Sequence, residues 1–108
     1  MVVTLRGQVV CPICWFEVDN RKVTPYGTQE DRMCAKACAQ QGTKQALAVW
    51  NGDRAKLYLL ENHAAKIKGG NFLQYIGDQV EVKGQTDIGA DGKAHIRVDE
   101  ILVLATSL

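Results

Sequence analysis

Four cysteines form two close pairs near the start of this chain, and they are the residues best suited to chemistry. Cys11 and Cys14 enclose a proline and an isoleucine, whereas three residues separate Cys34 from Cys38. Two thiols on a turn and two more at helical spacing can converge on a single tetrahedral ion. The pattern therefore predicts a metal site made of Cys11, Cys14, Cys34 and Cys38.

The four thiolates favour zinc as the ion, although the same donors also suit copper(I) or an iron–sulfur cluster. A zinc site of this kind is structural, because four protein sulfurs leave no coordination position for water. Disulfides are the competing interpretation. They form either within each local pair or in a crossed pairing such as Cys14–Cys34, which is geometrically easier and closes a longer loop. The residue types alone leave a metal site, disulfides and free thiols as open alternatives.

The first cysteine pair lies in the sequence Cys-Pro-Ile-Cys, which resembles a zinc-knuckle turn. In such a turn both thiolates face one concavity, and the proline fixes φ. Trp15 departs from the pattern, because a glycine that permits a left-handed backbone usually follows the second cysteine. Apolar residues on either side of the charged run 19–22 predict a short β-ribbon after the turn, over residues 15–18 and 23–24.

A helix is predicted to carry the second cysteine pair. Thr28 or Asp31 can cap a helix that begins near Arg32. Helical geometry then places Cys34 and Cys38 on one face. Cys34 is expected close to the helix N-terminus, where unpaired N–H groups and the helix dipole favour a thiolate. Turn, ribbon and helix together predict a treble-clef-like arrangement.

The rest of the chain has the alternation of a small β-domain. Apolar residues recur at every second position near residues 3–9, 80–84 and 94–103. These segments, together with the apolar run 46–50 and the segment 55–60 on the far side of a turn, predict five strands. Asn51-Gly52 and Asp91-Gly92 predict hairpin turns. The alternation shifts phase at Asp99-Glu100, which predicts a β-bulge there.

A short helix is predicted between the third and fourth strands, over residues 62–67, followed by a further turn over residues 72–76. Five strands with a helix at this place are the order of an OB-like barrel. The sequence therefore predicts one mainly β domain over residues 1–108, an OB-like five-stranded barrel. A cysteine-rich, partly helical insertion, residues 11–44, is expected between the first and second strands. An irregular β-sandwich fits the position of the helix less well.

Charge and composition exclude several classes of function. The formal net charge is +1 and no run of lysine or arginine stands out, so strong binding to nucleic acid or to an anionic membrane is not expected. No stretch reaches the roughly 20 apolar residues of a membrane span. No catalytic set of serine, histidine and acidic residues is convincing, and His63 and His95 are expected to be exposed or hydrogen-bonded. The chain is therefore not expected to be an enzyme.

Several short motifs resemble those of a group of small, uncharacterised, exported bacterial proteins. They are the strand containing Gly7 before the cysteine turn, the Cys34–Cys38 helix, and the segments 42–49, 58–60 and 77–84. The resemblance implies an OB-like fold and an exported protein, and it implies no established activity. Cys11 departs from the resemblance, because one cysteine is usual at this turn.

Two compartments stay open on the sequence. The first residues run directly into strand-like sequence, which fits either a cytoplasmic protein or an exported, periplasmic mature form whose leader has been removed. The resemblance favours export. An exported protein can keep disulfides, whereas the cytoplasm favours thiolate–metal chemistry.

The predicted function is a non-enzymatic metal-binding or interaction module with a structural zinc site of four cysteines. An exported, disulfide-stapled OB-fold binding domain is one alternative, and a thiol-based metal carrier or redox protein is another. The partner, a protein or a small molecule, is not specified by any motif.

Overall fold

The computed structural model describes residues 2–62 and 72–106 of the 108-residue chain. These residues form five strands, two helices and a 3₁₀ turn. The strands are β1 (Val3–Val10), β2 (Ala46–Asn51), β3 (Arg54–Asn62), β4 (Gln79–Ile88) and β5 (Ala94–Ala105). The helices are α1 (Pro12–Trp15) and α2 (Gln29–Gln40), and the 3₁₀ turn spans Leu73–Tyr75.

The five strands close into a barrel in the order β1-β2-β3-β5-β4, and β4 pairs back onto β1. Neighbouring strands are antiparallel except β3 and β5, which run parallel. Both helices lie between β1 and β2 in the chain. The predicted fold class, a mainly β closed barrel of five strands with a partly helical, cysteine-containing insertion after the first strand, is therefore confirmed.

Aliphatic side chains fill the barrel, because alternate residues of each strand point inward. In β4, Val80, Val82 and Gly84 are buried and the residues between them are more exposed. The fully buried aliphatic side chains of the strands include Val9, Val10, Leu47, Val80, Val82, Ile96 and Val98. In β4 and β5 their spacing is the period of two that predicted the strands, whereas Val9 and Val10 are consecutive buried residues at the end of β1.

β4 continues past Gly84, where the sequence predicted that it would end. A side chain at this position would collide with the backbone carbonyl of Arg97 on β5, so the glycine permits a close approach of two strands instead of ending one. The register shifts between Lys83 and Gly84, which makes Asp99 the extra residue of β5. The predicted bulge is therefore confirmed.

The connection from β3 to β4 is described only in part. Most of the helix predicted over residues 62–67 lies outside the described residues, and Asn62 is the last residue of β3. The predicted turn over residues 72–76 is present as the 3₁₀ turn, between the buried side chains of Phe72 and Ile76. Within residues 2–62 and 72–106, none of the helices has the length and apolar character that crossing a bilayer requires.

The insertion between β1 and β2 lacks the predicted β-ribbon. Residues 16–28 form turns and bends without strand pairing, so the ribbon and the treble-clef-like arrangement are wrong. The physical reason is Arg21, whose side chain is buried and donates to backbone carbonyls of α1. These bonds fold the segment back over α1 instead of leaving it free to pair with itself.

Candidate metal centre

The sulfur atoms of the four cysteines meet in the insertion, close to the end of β1. The Sγ atoms of Cys11, Cys14 and Cys38 lie within 4.8 Å of one another. Cys34 is joined to this group by a disulfide bond to Cys14, with 6.2 Å between the two Cα atoms. The structure therefore brings together the four residues that the sequence predicted as metal ligands.

One pair of sulfurs is covalently bonded and the other is not. The bond between Cys14 and Cys34 is the crossed pairing, and the two local disulfides do not form because Cys11 and Cys38 are free thiols. The exposed fractions of Cys11 and Cys14 are 2% and 1%, whereas Cys34 and Cys38 are half-buried. Solvent therefore reaches the sulfur cluster more readily from α2 than from α1.

A single helical turn directly after β1 holds the first cysteine pair. Cys11 precedes α1, and Pro12 opens the helix at a position where its fixed φ suits the turn and no N–H is needed. The Trp15 N–H donates to the Cys11 carbonyl at 2.9 Å, and this bond brings residues i and i+3 to one side of the turn. Trp15 is itself buried, so the residue that departs from the knuckle pattern anchors the turn by apolar packing.

The second pair lies on α2, whose start is fixed by a capping box. The Thr28 side chain accepts from the Asp31 N–H, and the Asp31 carboxylate accepts from the Thr28 N–H. The helix therefore begins at Gln29, earlier than predicted. Cys34 lies in the second turn of the helix and not at its N-terminus. The prediction that unpaired N–H groups and the helix dipole stabilise a Cys34 thiolate is therefore wrong. Cys38 follows one turn later on the same face.

Arg21 connects the two halves of the site. Its guanidinium donates to the carbonyls of Cys14 at 2.6 Å and Trp15 at 3.0 Å, at the end of α1. It also pairs with the Asp31 carboxylate at the start of α2, with 3.1 Å between Nη2 and Oδ1. The exposed fractions of the two side chains are 3% and 10%. Because charge-assisted bonds from a planar guanidinium are directional, this pair fixes α1 relative to α2.

Tyr26 and Gln8 attach the site to the barrel. The Cys11 N–H donates to the Tyr26 hydroxyl at 3.1 Å. The Gln8 side-chain amide on β1 donates to the carbonyls of Tyr26 and Gly77, at 2.8 and 2.9 Å. Burial is the main cause that raises the pKa of Tyr26 to about 12, so its hydroxyl is neutral at ordinary pH. The cysteine turn is therefore held by neutral hydrogen bonds on the barrel side.

Two more groups of the site, besides Tyr26, have shifted pKa values. Burial alone would raise the pKa of Asp31, but hydrogen bonds from Gly27, Arg21 and Thr28 outweigh it and hold the pKa below its usual value. Burial is the first cause that raises the pKa of the Cys38 thiol, and the neighbouring free thiol is the second. The Cys38 sulfur therefore keeps its proton at neutral pH until a cation displaces it.

Sequence reasoning missed Arg21, Tyr26 and Gln8 as parts of this site. Arg21 stands in the polar run Asp19-Asn20-Arg21-Lys22, which has the composition of an exposed loop. Its burial depends on a carboxylate ten positions later in the chain, and no local pattern reveals such a partner. Asp31 was identified only as a helix cap, and it is both cap and ion-pair partner.

His95 forms a second polar cluster, at the start of β5. Its Nε2 atom lies 3.1 Å from both carboxylate oxygens of Asp91, and its Nδ1 atom lies 3.5 Å from an oxygen of Glu61. The prediction of a hydrogen-bonded histidine is confirmed here, whereas His63 lies outside the described residues.

No protein family, curated protein or solved structure is significantly similar to this chain. The chemistry of the sulfur cluster is therefore the basis for a functional proposal.

Proposed function

We propose that this protein is a non-enzymatic metal-binding module in which Cys11, Cys14, Cys34 and Cys38 hold one thiophilic ion once all four are reduced. The observation that carries the proposal is the convergence of sulfurs. Three Sγ atoms lie within 4.8 Å of one another, and the fourth is bonded to one of them.

The donor set fits zinc best. Four sulfurs at about 2.3 Å from a tetrahedral ion lie about 3.8 Å from one another, which is within the spread of the cluster. Thiolates are soft ligands, so copper(I) or iron in a sulfur cluster would be the competing occupants, whereas magnesium or calcium would not. With four protein ligands the ion has no open position, and its role is to hold α1 against α2.

Titration of the reduced protein with cobalt(II), followed by displacement with zinc, tests this proposal. We expect about one equivalent of cobalt(II) with thiolate-to-cobalt charge-transfer absorption, and tighter binding of zinc. Each Cys→Ser variant should lower zinc affinity by at least about tenfold, because it removes one of the four thiolate ligands. His95→Asn is the matched control, because it removes a metal-ligand residue type outside the cluster and should leave the titration unchanged.

The result that contradicts the proposal is a fully reduced, folded protein that takes up none of zinc, cobalt(II) and copper(I). Iron bound as a cluster would instead appear as visible absorption in protein reconstituted with iron and sulfide. Such a spectrum would support the four-cysteine site and identify its occupant as an iron–sulfur cluster in place of zinc.

A second candidate function rests on the Cys14–Cys34 bond. In this alternative the chain is an exported binding domain in which the disulfide staples the insertion and the barrel meets a partner. Three observations on the folded protein would favour this alternative. The protein would have two free thiols, would retain its disulfide in a periplasm-like redox buffer, and would bind no metal ion.

A further inference from the structure

We propose that the Cys14–Cys34 bond gates the metal site, so that the ion binds only after a two-electron reduction. This inference rests on the proposed function. Its physical basis is that Cys14 belongs both to the disulfide and to the group of three converging sulfurs. The Cys14 sulfur cannot be bonded to Cys34 and act as a thiolate ligand at the same time.

A disulfide sulfur has no proton to lose and carries no thiolate charge, so it is a poor ligand for zinc. In the oxidised chain the cluster offers the two free thiols of Cys11 and Cys38. Reduction adds Cys14 and Cys34 and raises the number of ligands from two to four. Two ligands are too few for a structural zinc site, which is almost always four-coordinate.

The frame around the sulfurs does not depend on the disulfide. The Arg21–Asp31 ion pair joins α1 to α2, the Thr28 capping box fixes the start of α2, and Tyr26 binds the Cys11 N–H. Because these contacts involve no sulfur atom, they keep the two cysteine pairs facing each other after reduction. The reduced site is therefore preorganised for an ion.

The reductant in this proposal is a dithiol. One of its thiolates attacks the sulfur of Cys34, a half-buried residue, in preference to the sulfur of Cys14, a residue whose exposed fraction is 1%. A mixed disulfide forms at Cys34 and Cys14 leaves as a thiolate. The second thiol of the reductant then displaces Cys34, so the reductant becomes a disulfide and the protein gains two electrons and two protons. Zinc displaces the thiol protons when it binds.

Oxidation reverses the cycle. A low-molecular-weight disulfide takes two electrons from the Cys14 and Cys34 thiolates and two protons from water and becomes two thiols, while the Cys14–Cys34 bond forms again. The ion leaves because two of its ligands are lost, and Cys11 and Cys38 take up protons from water. One zinc ion is therefore released for each disulfide that forms in the protein.

The experiment compares zinc binding by three preparations of the full chain. They are the oxidised protein, the protein reduced by a dithiol under anaerobic conditions and freed of reductant, and the reduced zinc-loaded protein treated with oxidised glutathione. Thiol titration under denaturing conditions should count two thiols in the first and four in the second. We expect zinc affinity to rise at least about a thousandfold on reduction. The third preparation should release about one zinc ion per disulfide formed.

The double variant Cys11→Ser with Cys38→Ser is the matched control. It keeps the gating disulfide, and its reduced form has two thiols, so reduction should not create tight zinc binding. Equally tight zinc binding by the oxidised and reduced wild-type protein would overturn the gate and leave a metal site that does not use the Cys14 and Cys34 thiolates. Absence of zinc binding in the reduced wild-type protein, or tight binding by the reduced double variant, would instead overturn the four-cysteine site itself.

Discussion

The barrel and the cysteine insertion are stabilised in different ways. In the barrel, large aliphatic side chains such as Leu47 and Ile96 are fully buried and the strands pair around a closed ring. In α2, the buried residues are Asp31 and Ala35. The insertion adds an ion pair, a capping box and a disulfide, which are directional bonds, to the apolar packing of Trp15, Tyr26 and Ala35. The barrel depends on buried apolar area and strand pairing.

This difference matters for function because the two kinds of bond respond to different conditions. Apolar packing responds to temperature and denaturant, whereas thiols, disulfides and ion pairs respond to reductants, metal ions and pH. The insertion is therefore able to change its chemical state while the barrel keeps its fold. Four predictions test this contrast.

The largest effect is expected for Arg21→Met, which leaves the Asp31 carboxylate buried without its cation. Loss of one partner of a buried ion pair should reduce the free energy of unfolding by about 3–5 kcal/mol. Urea unfolding measures the change, and the NMR signal of the Trp15 indole shows whether the insertion loosens first. Arg6→Ala is the matched control, because its pair with Glu81 is exposed and is worth about 0–1 kcal/mol. Equal losses in the two variants would mean that Arg21 does not hold the halves together.

Reduction of the disulfide in metal-free protein is expected to have the next largest effect. The bond joins residues 20 positions apart, and a loop of this length is worth about 3 kcal/mol in the chain-entropy account. Urea unfolding with and without a dithiol measures the difference. The double variant Cys14→Ser with Cys34→Ser should unfold, with or without the dithiol, at the urea midpoint of the reduced wild-type protein. Addition of zinc should restore stability to the reduced wild-type protein and not to this variant.

Gly84→Ala tests the barrel side of the comparison. The added methyl group collides with the Arg97 carbonyl on the neighbouring strand, and the resulting strain should cost about 1–3 kcal/mol. Thr86→Ala, at an exposed position of the same strand, should change stability by less than about 0.5 kcal/mol. The loss at Gly84 should be the same in oxidised and reduced protein. Dependence on the oxidation state would contradict the independence of the two regions.

Acid should have a smaller effect on the insertion, through Asp31. Hydrogen bonds hold the pKa of Asp31 in the folded protein below its value of about 3.9 in an unfolded chain. Its contribution to stability is therefore complete above about pH 4 and is lost as the pH falls through the folded value. The loss should be smaller than in Arg21→Met, because a protonated carboxyl still accepts hydrogen bonds. Stability measured from pH 6 to pH 2 in wild-type protein and in Asp31→Asn, which lacks this titration, isolates the effect.

The same contrast explains how much the sequence could predict. The strands of the barrel were found because burial in β4 follows a simple period of two at Val80 and Val82. The bulge at Asp99 was found because it breaks that period. Local repetition carries such features, and no distant residue is needed to recognise them.

The insertion has no repetition, so its details were harder to predict. Four cysteines indicated that sulfurs would meet, but the choice between local and crossed disulfides depends on how α1 docks on α2. That docking depends on Arg21, whose burial is decided by a single long-range partner, Asp31. The polar run 19–22, which has the composition of an exposed turn in a β-ribbon, was therefore misinterpreted.

Trp15 gives the sulfur cluster a built-in optical indicator. The indole directly follows Cys14 in the chain and lies 6.1 Å from the Tyr26 ring and 5.8 Å from the Trp50 ring, measured between centroids. A disulfide in contact with an indole quenches its fluorescence by accepting an electron from the excited state, and Cys14 is the chain neighbour of Trp15. Emission from the unlabelled protein is therefore expected to brighten when Cys14 is released from Cys34, and the change would report the oxidation state of the disulfide in the sample.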